Sequence, residues 1–301
     1  MKSVWRQSLL LCLGLGVFLV APALAQEPPA ASTVELLALR SVEEQKFVFW
    51  QKINQARRDP LAEVQRLELD EAQVRRALGS QAWILDQGLA PLAWNDGLTQ
   101  AAAGHGRDMI DRVYYSHLSP EGQNYAGRIA ATGYDALVVR ESLSALVFSQ
   151  YVDVELAAGR MADMLIRDEL LAVPGSGRQI FSSGLTELGI SFYAETLPLF
   201  PGQPYVYLLV IDYAQPTELR EFLLGQVDAR FNIMVRNNYT SFWHLVKINE
   251  NGSFQLDYPV EGGLLRVFDS QGQTLFETGI LSPRAGINEF IDLTAVDSGV
   301  N

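Results

Sequence analysis

Hydrophobic positions recur with a helical period in the first two thirds of the chain and with a strand period in the last third. Phe47, Trp50 and Ile53 fall at three-residue steps and predict an amphipathic helix over residues 43–58. Asp59-Pro60 then stops that helix and opens another, with Asp as N-cap and Pro at the first helical position. A further helix, Glu71–Leu78, should end at Gly79, and Leu89–Asn95 reads as a short extended segment. Asn95 or Asp96 can cap a long helix in which Leu98, Ala101, Ala102, His105 and Met109 share one face. That face is apolar, so His105 is expected in the core. Tyr114–Gly122 reads as a loop by its Ser, Pro and Gly content, followed by a short helix around Arg128–Thr132 and a longer one over Tyr151–Leu171.

The period changes at Thr186. Glu187–Phe192 alternates like a strand, and Tyr205–Ile211 is apolar throughout, as a central strand buried on both faces would be. Helices followed by strands imply an α+β, layered architecture with a mainly antiparallel sheet. Beyond Pro216 a polar stretch, 217–228, leads into the short β-type runs Phe231–Val235, Phe242–Ile248, Phe254–Leu256, Leu264–Phe268 and Phe290–Leu293. Asn251-Gly252 and Ser270-Gln271-Gly272 lie between runs as hairpin signals. The expectation is a small all-β sandwich-like module serving as a spacer or adhesion unit. His244, among aromatic strand residues, is expected to be structural.

The N-terminus changes the setting. Lys2 and Arg6 precede an apolar run from Leu9 to Val20 and a small-residue exit at Ala23-Leu24-Ala25, which reads as a secretory signal peptide over 1–25. The run is about a dozen residues, short of the ~20 a membrane span needs, and no later segment could cross a bilayer. The single cysteine, Cys12, lies inside that run. After cleavage the chain has no thiol, so disulfides and thiolate zinc sites are excluded, and any metal would use His, Asp or Glu. The chain carries 23 basic and 35 acidic residues, a formal charge of −12. Losing Lys2 and Arg6 makes it more acidic still. Without a basic stripe, such a chain repels phosphate backbones and anionic lipid surfaces, which argues against nucleic acid as a partner.

Six stretches in order carry a resemblance: Ile53–Arg57, Leu89–Asn95, Ala101–Met109, Tyr115–Gly122, Arg128–Tyr134 and Thr186–Ile190. Together they resemble bacterial CAP-domain (SCP-like) proteins, relatives of the cysteine-rich secretory, antigen 5 and pathogenesis-related 1 proteins. The resemblance spans roughly Val42 to Pro216. It implies an α-β-α sandwich with a central cleft, in a protein secreted or periplasmic. The domain organisation expected is signal peptide 1–25, linker 26–42, CAP domain 43–216 and β-rich module 217–301.

In that family two histidines and two acidic residues line the cleft and in some members hold a divalent metal. By position, His117 matches the first histidine, Glu141 in Arg140–Leu143 the first acid and Glu187 the second. Gly177 stands where the second histidine should be. The resemblance therefore implies His117, Glu141 and Glu187 as cleft residues, with zinc or calcium as the metal they could hold. No nucleophile is signalled: Ser116 sits beside His117, but there is no G-x-S-x-G turn. The function expected is non-catalytic binding of a lipid, glycan or peptide ligand, or of a cell-envelope component. The alternative is a metal-dependent hydrolase using the same three residues.

Overall fold

A computed structural model describes residues 31–173, 177–197, 205–237, 242–257, 262–279, 281–282 and 284–296. The expected signal peptide lies outside them. Among the described residues no helix is long and apolar enough to cross a membrane.

Helix α1, Ala31–Arg58, begins twelve residues earlier than the helix expected from residue 43, so most of the supposed linker continues it. Asp59 caps α2, Pro60–Arg66, by accepting from Ala62 N, and Asp70 caps α3, Glu71–Leu78. A single turn, α4, spans Ile84–Gln87, and the long helix α5 spans Asp96–Arg112. Asn95 caps α5 through Gly97 N at 2.9 Å and Leu98 N at 3.2 Å. Helix α6, Tyr125–Ala131, and α7, Val154–Leu171, complete the helical set.

Four strands form one sheet in the order β1 (Ala93–Trp94), β3 (Glu187–Thr196), β4 (Tyr205–Pro216), β2 (Ala136–Phe148). β1 runs parallel to β3, and the other pairings are antiparallel. β4 is central and buried on both faces, as its unbroken apolar run predicts. The expected succession of helices and then strands does not hold. β2 lies between α6 and α7, in a stretch whose β-branched and apolar residues alternate too irregularly to signal a half-buried strand.

The sheet separates two helical layers. On one side α1 and α7 pack Phe49, Ile53, Ala158, Met161 and Ile166 against Ile190, Tyr207, Leu209 and Ile211. On the other α5 lays Ala102 and Met109 over Leu208 and Val210. Gly189 permits this second contact: a Cβ there would sit 2.1 Å from Thr99 N, so only glycine lets the start of α5 rest on the sheet.

The described residues beyond Pro216 form two further sheets. One orders β10 (Thr274–Glu277), β9 (Gly263–Phe268), β6 (Asn232–Asn237) and β7 (His244–Val246). The other orders β11 (Glu289–Leu293), β5 (Phe222–Val227) and β8 (Ser253–Asp257). β5 falls in the stretch expected to be polar and loop-like, yet Phe222, Leu223, Leu224 and Val227 are buried. The all-β module is thus present, with its own core around Ile233, Phe254, Leu265 and Val267. It is fastened to the first domain. Gln255 accepts from Trp94 N at 2.6 Å and donates to Trp94 O at 3.0 Å, closing the outer edge of β1 with a side-chain amide. Asn288 donates to Pro91 O and Thr186 O, and Arg58 stacks on Phe290 at 3.5 Å.

Candidate functional site

Helix α1 determines where the site's neighbours stand. Trp50, Asn54 and Arg57 fall at i, i+4 and i+7 and grip the extended segment before β1. Trp50 Nε1 and Asn54 Nδ2 both donate to Leu92 O, at 2.8 and 3.0 Å, and Leu92 N donates back to Asn54 Oδ1 at 2.7 Å. This explains the chemistry of the Ile53–Arg57 motif: its polar residues satisfy backbone groups in a buried segment. Asn95, at the end of that segment, then turns the chain into α5.

Glu141 is the centre of the site. It stands on β2 with its side chain toward α5 and wholly buried. His105 Nδ1–H donates to Oε2 at 2.8 Å, His117 Nδ1–H donates to Oε1 at 2.7 Å, and Arg128 Nη2 donates to Oε2 at 2.7 Å. Burial pushes Glu141 up, but the hydrogen bonds from the two imidazoles and the charge of Arg128 outweigh it and bring its pKa down to about 2. Arg128 also donates to His117 O and Gln123 O, so one guanidinium ties the 117–123 loop to the sheet. The His117 side chain remains 55% exposed, which leaves its Nε2 edge open to solvent.

Directly across from Glu141 on β4 is Asp212, fully buried, with neither carboxylate oxygen hydrogen-bonded among the described residues. Desolvation, reinforced by the charge on Glu141, raises its pKa well above the ordinary value, so it is held as the neutral acid. His105 Nε2 and Ser191 Oγ are likewise buried without a partner among the described residues.

Of the three residues expected in the cleft, the structure joins two. His117 and Glu141 are in direct contact. Glu187 faces the same side of the sheet but is one strand beyond β4 and a step along it, opposite Ala214 rather than Asp212. There its Oε2 accepts from Asn95 Nδ2 at 2.7 Å and Tyr134 OH at 2.8 Å. Gly177 does not occupy the vacancy of a second imidazole beside Glu141. It lines a shallow hollow of about 100 Å³ with Val138 and Arg140, whose side chains leave β2 on the face opposite Glu141. The second imidazole comes from His105. The expectation that His105 lies in the core holds, and the structure adds a polar partner there: its Nδ1 is hydrogen-bonded to Glu141. Its helical spacing identified the burial; the partner, 36 residues later on an unrecognised strand, left no local signal. Arg128 and Asp212 were missed for the same reason. Ser116 Oγ accepts from Leu118 N and so shapes the loop. His244 lies exposed on β7.

These residues can be tested against a divalent metal by their donor atoms. Both oxygens of Glu141 are taken by three donors, one of them cationic. His117 has spent Nδ1 on the same carboxylate, and Glu187 is bound elsewhere. As placed, His117, Glu141 and Glu187 do not form a ligand set, and among the described residues no group of three or more His, Asp or Glu side chains is arranged to hold a metal ion.

Residues 50–196 match the model of the cysteine-rich secretory protein family, CAP. That region carries α5, the 117–123 loop, Glu141 and Glu187, so the site lies wholly inside the CAP match except for Asp212. The module from β5 onward lies outside it. Among solved structures, an outer surface protein from Borrelia burgdorferi is 12% identical, covers 58% of this chain and 96% of its own, and has a TM-score of 0.36. An extracellular SCP-domain protein from Bacillus anthracis is 24% identical, with a TM-score of 0.26. That match covers 40% of this chain and 34% of the Bacillus protein. No curated protein matches the chain.

Proposed function

We propose that this is an exported bacterial CAP-domain protein that binds a ligand or cell-envelope component without turning it over, using the exposed edge of His117 as its polar contact. The observation that carries the reading is the saturation of Glu141. A carboxylate that is fully buried, ionised down to about pH 2 and holding three donors has no proton to give and no exposed oxygen to present to a substrate. Its work is to fix two imidazole rings and a loop. The ring it fixes at the surface, His117, then presents Nε2 beside Tyr125, whose ring lies edge-on at 6.5 Å. A preorganised imidazole next to an aromatic edge suits a polar group carried on a lipid, glycan or peptide. Export rests on the n-region, apolar run and Ala23–Ala25 exit, and its destination in this reading is the periplasm or the cell surroundings.

Three probes test the binding claim: phosphatidylglycerol bicelles, soluble muropeptides and short unstructured peptides, each titrated against the mature protein while the His117 ring resonances are followed. The expected result is that one class shifts those resonances, is released unchanged, and loses affinity in His117→Ala. Catalytic turnover abolished by His117→Ala, or no perturbation by any of the three, would overturn the reading. N-terminal sequencing of the exported protein should begin at Gln26.

A further inference from the structure

We propose that the outer face of the β10–β9–β6–β7 sheet docks onto an anionic lipid bilayer surface. The site is separate from the CAP cluster, and the proposal relies on the export reading only for the protein to meet such a surface. Residues on this face alternate with those of the module core. Ile233, Val246, Leu265 and Val267 point inward, whereas Met234, Arg236, Leu245, Leu264, Arg266 and Phe268 point out. Met234 pairs with Leu245 on one side and Arg266 on the other, so apolar and cationic side chains interleave across the strands.

At the β7 edge, Phe242 is 75% exposed and Leu245 is 66% exposed. Two large apolar side chains offered to water within one short stretch of chain mark an interaction surface rather than a core. Trp243 stands between them with the guanidinium groups of Arg266 and Arg236 over its ring, at 4.2 and 5.2 Å. Lys247 is exposed just past the end of the same strand. The acidic neighbour on the face, Glu277, is already paired with Arg266 at 2.6 Å.

Charge decides the occupant. The whole chain is acidic, which argues against anionic surfaces when charge is read as a total. Screening confines interaction to about 8 Å at physiological ionic strength, so the face that makes contact decides, not the sum. Here that face is locally basic on a chain of formal charge −12. Cations around exposed Phe and Leu, with a partly buried indole beneath the guanidinium groups, match the headgroup and acyl boundary of an anionic bilayer. A sugar would need a bare aromatic plane to stack on, and guanidinium groups already lie over the Trp243 ring.

Co-sedimentation of the mature protein with vesicles tests this. Vesicles of equal parts phosphatidylglycerol and phosphatidylcholine should bind it at least about tenfold better than phosphatidylcholine alone, with binding lost in high salt. The double variant Phe242→Ser, Leu245→Ser and, independently, Arg236→Gln with Lys247→Gln should each weaken binding about tenfold while leaving the urea midpoint and the His117 resonances unchanged. The proposal is overturned if the wild type ignores anionic vesicles. It is also overturned if both folded variants bind as well as the wild type, or if the variants instead lose binding to insoluble cell-wall glycan. None of these results touches the His117 binding test, so the two readings fail separately.

Discussion

The two faces of the first domain's sheet each bury a carboxylate near an arginine, and they treat it in opposite ways. On the α5 side, Arg128 and two imidazoles point at Glu141, which is ionised down to about pH 2. On the α1 and α7 side, Glu169 on α7 is buried to a similar degree, but Arg57 spends its guanidinium on carbonyls: Ala90 O at 2.7 Å, Ile180 O at 2.5 Å and Ser182 O at 2.9 Å. Burial therefore dominates at Glu169, and its pKa rises to about 7 despite N–H donors from Ile180 and Phe181. Burial alone does not set ionisation; the number and charge of the donors aimed at the carboxylate do.

The largest expected effect comes from Arg57, which is 1% exposed. Arg57→Met should lower the unfolding free energy by about 3–5 kcal/mol in urea titrations, because three buried carbonyls lose their donor and Glu169 loses the nearby cation. If the loss were under ~1 kcal/mol, the α1 side would be held by apolar packing alone. Next in size, Glu141→Gln should cost about 3 kcal/mol at pH 7 by leaving Arg128 buried without a counter-charge.

The pH profile sharpens the contrast. Glu141 has a depressed folded pKa, so its contribution is complete above the ordinary value of 4.5 and is lost as pH falls toward 2. Glu169 has a raised one, so its contribution is complete below 4.5 and is lost as pH rises toward 7. Asp212 acts in the same direction as Glu169, from 3.8 upward. Stability should therefore peak in mild acid, near pH 4.5, and Glu141→Gln should shrink the acid limb, to which Asp108 and Asp228 also contribute, while weakening the opposite limb only through the smaller push on Asp212. The smallest effect is a gain. Asp212→Asn should stabilise by about 1–2 kcal/mol at pH 7 and leave stability at about pH 4 unchanged, because it removes an acid that must take up a proton to be buried on folding. Equal effects at both pH values would show that Asp212 acts through packing instead.

Local features were legible because they are local. Asp59-Pro60, Asn95 and Gly79 each bond or turn within a few residues, and the apolar run of β4 needs no partner to be recognised. β2 and β5 were not, because the first is an edge strand with an irregular half-exposed pattern and the second follows Pro216 in a segment that looks polar at its start. The site suffered most. His117 and Glu141 were named through the family resemblance and do meet, while Glu187 belongs to the Asn95–Tyr134 cluster and Gly177 to the other side of the sheet.

The sequence by itself determined the helical and β-rich halves, the caps, the burial of His105 and the acidic balance, since periodicity, capping and composition act over a turn or a strand. Only the tertiary structure decided that His105, His117 and Arg128 converge on one carboxylate, that Asp212 beside it is held neutral, and that cations gather on one face of an acidic protein. Those outcomes depend on strand register and on which helix crosses which strand. The energies that fix register come from contacts tens of residues apart, which no window of the sequence contains.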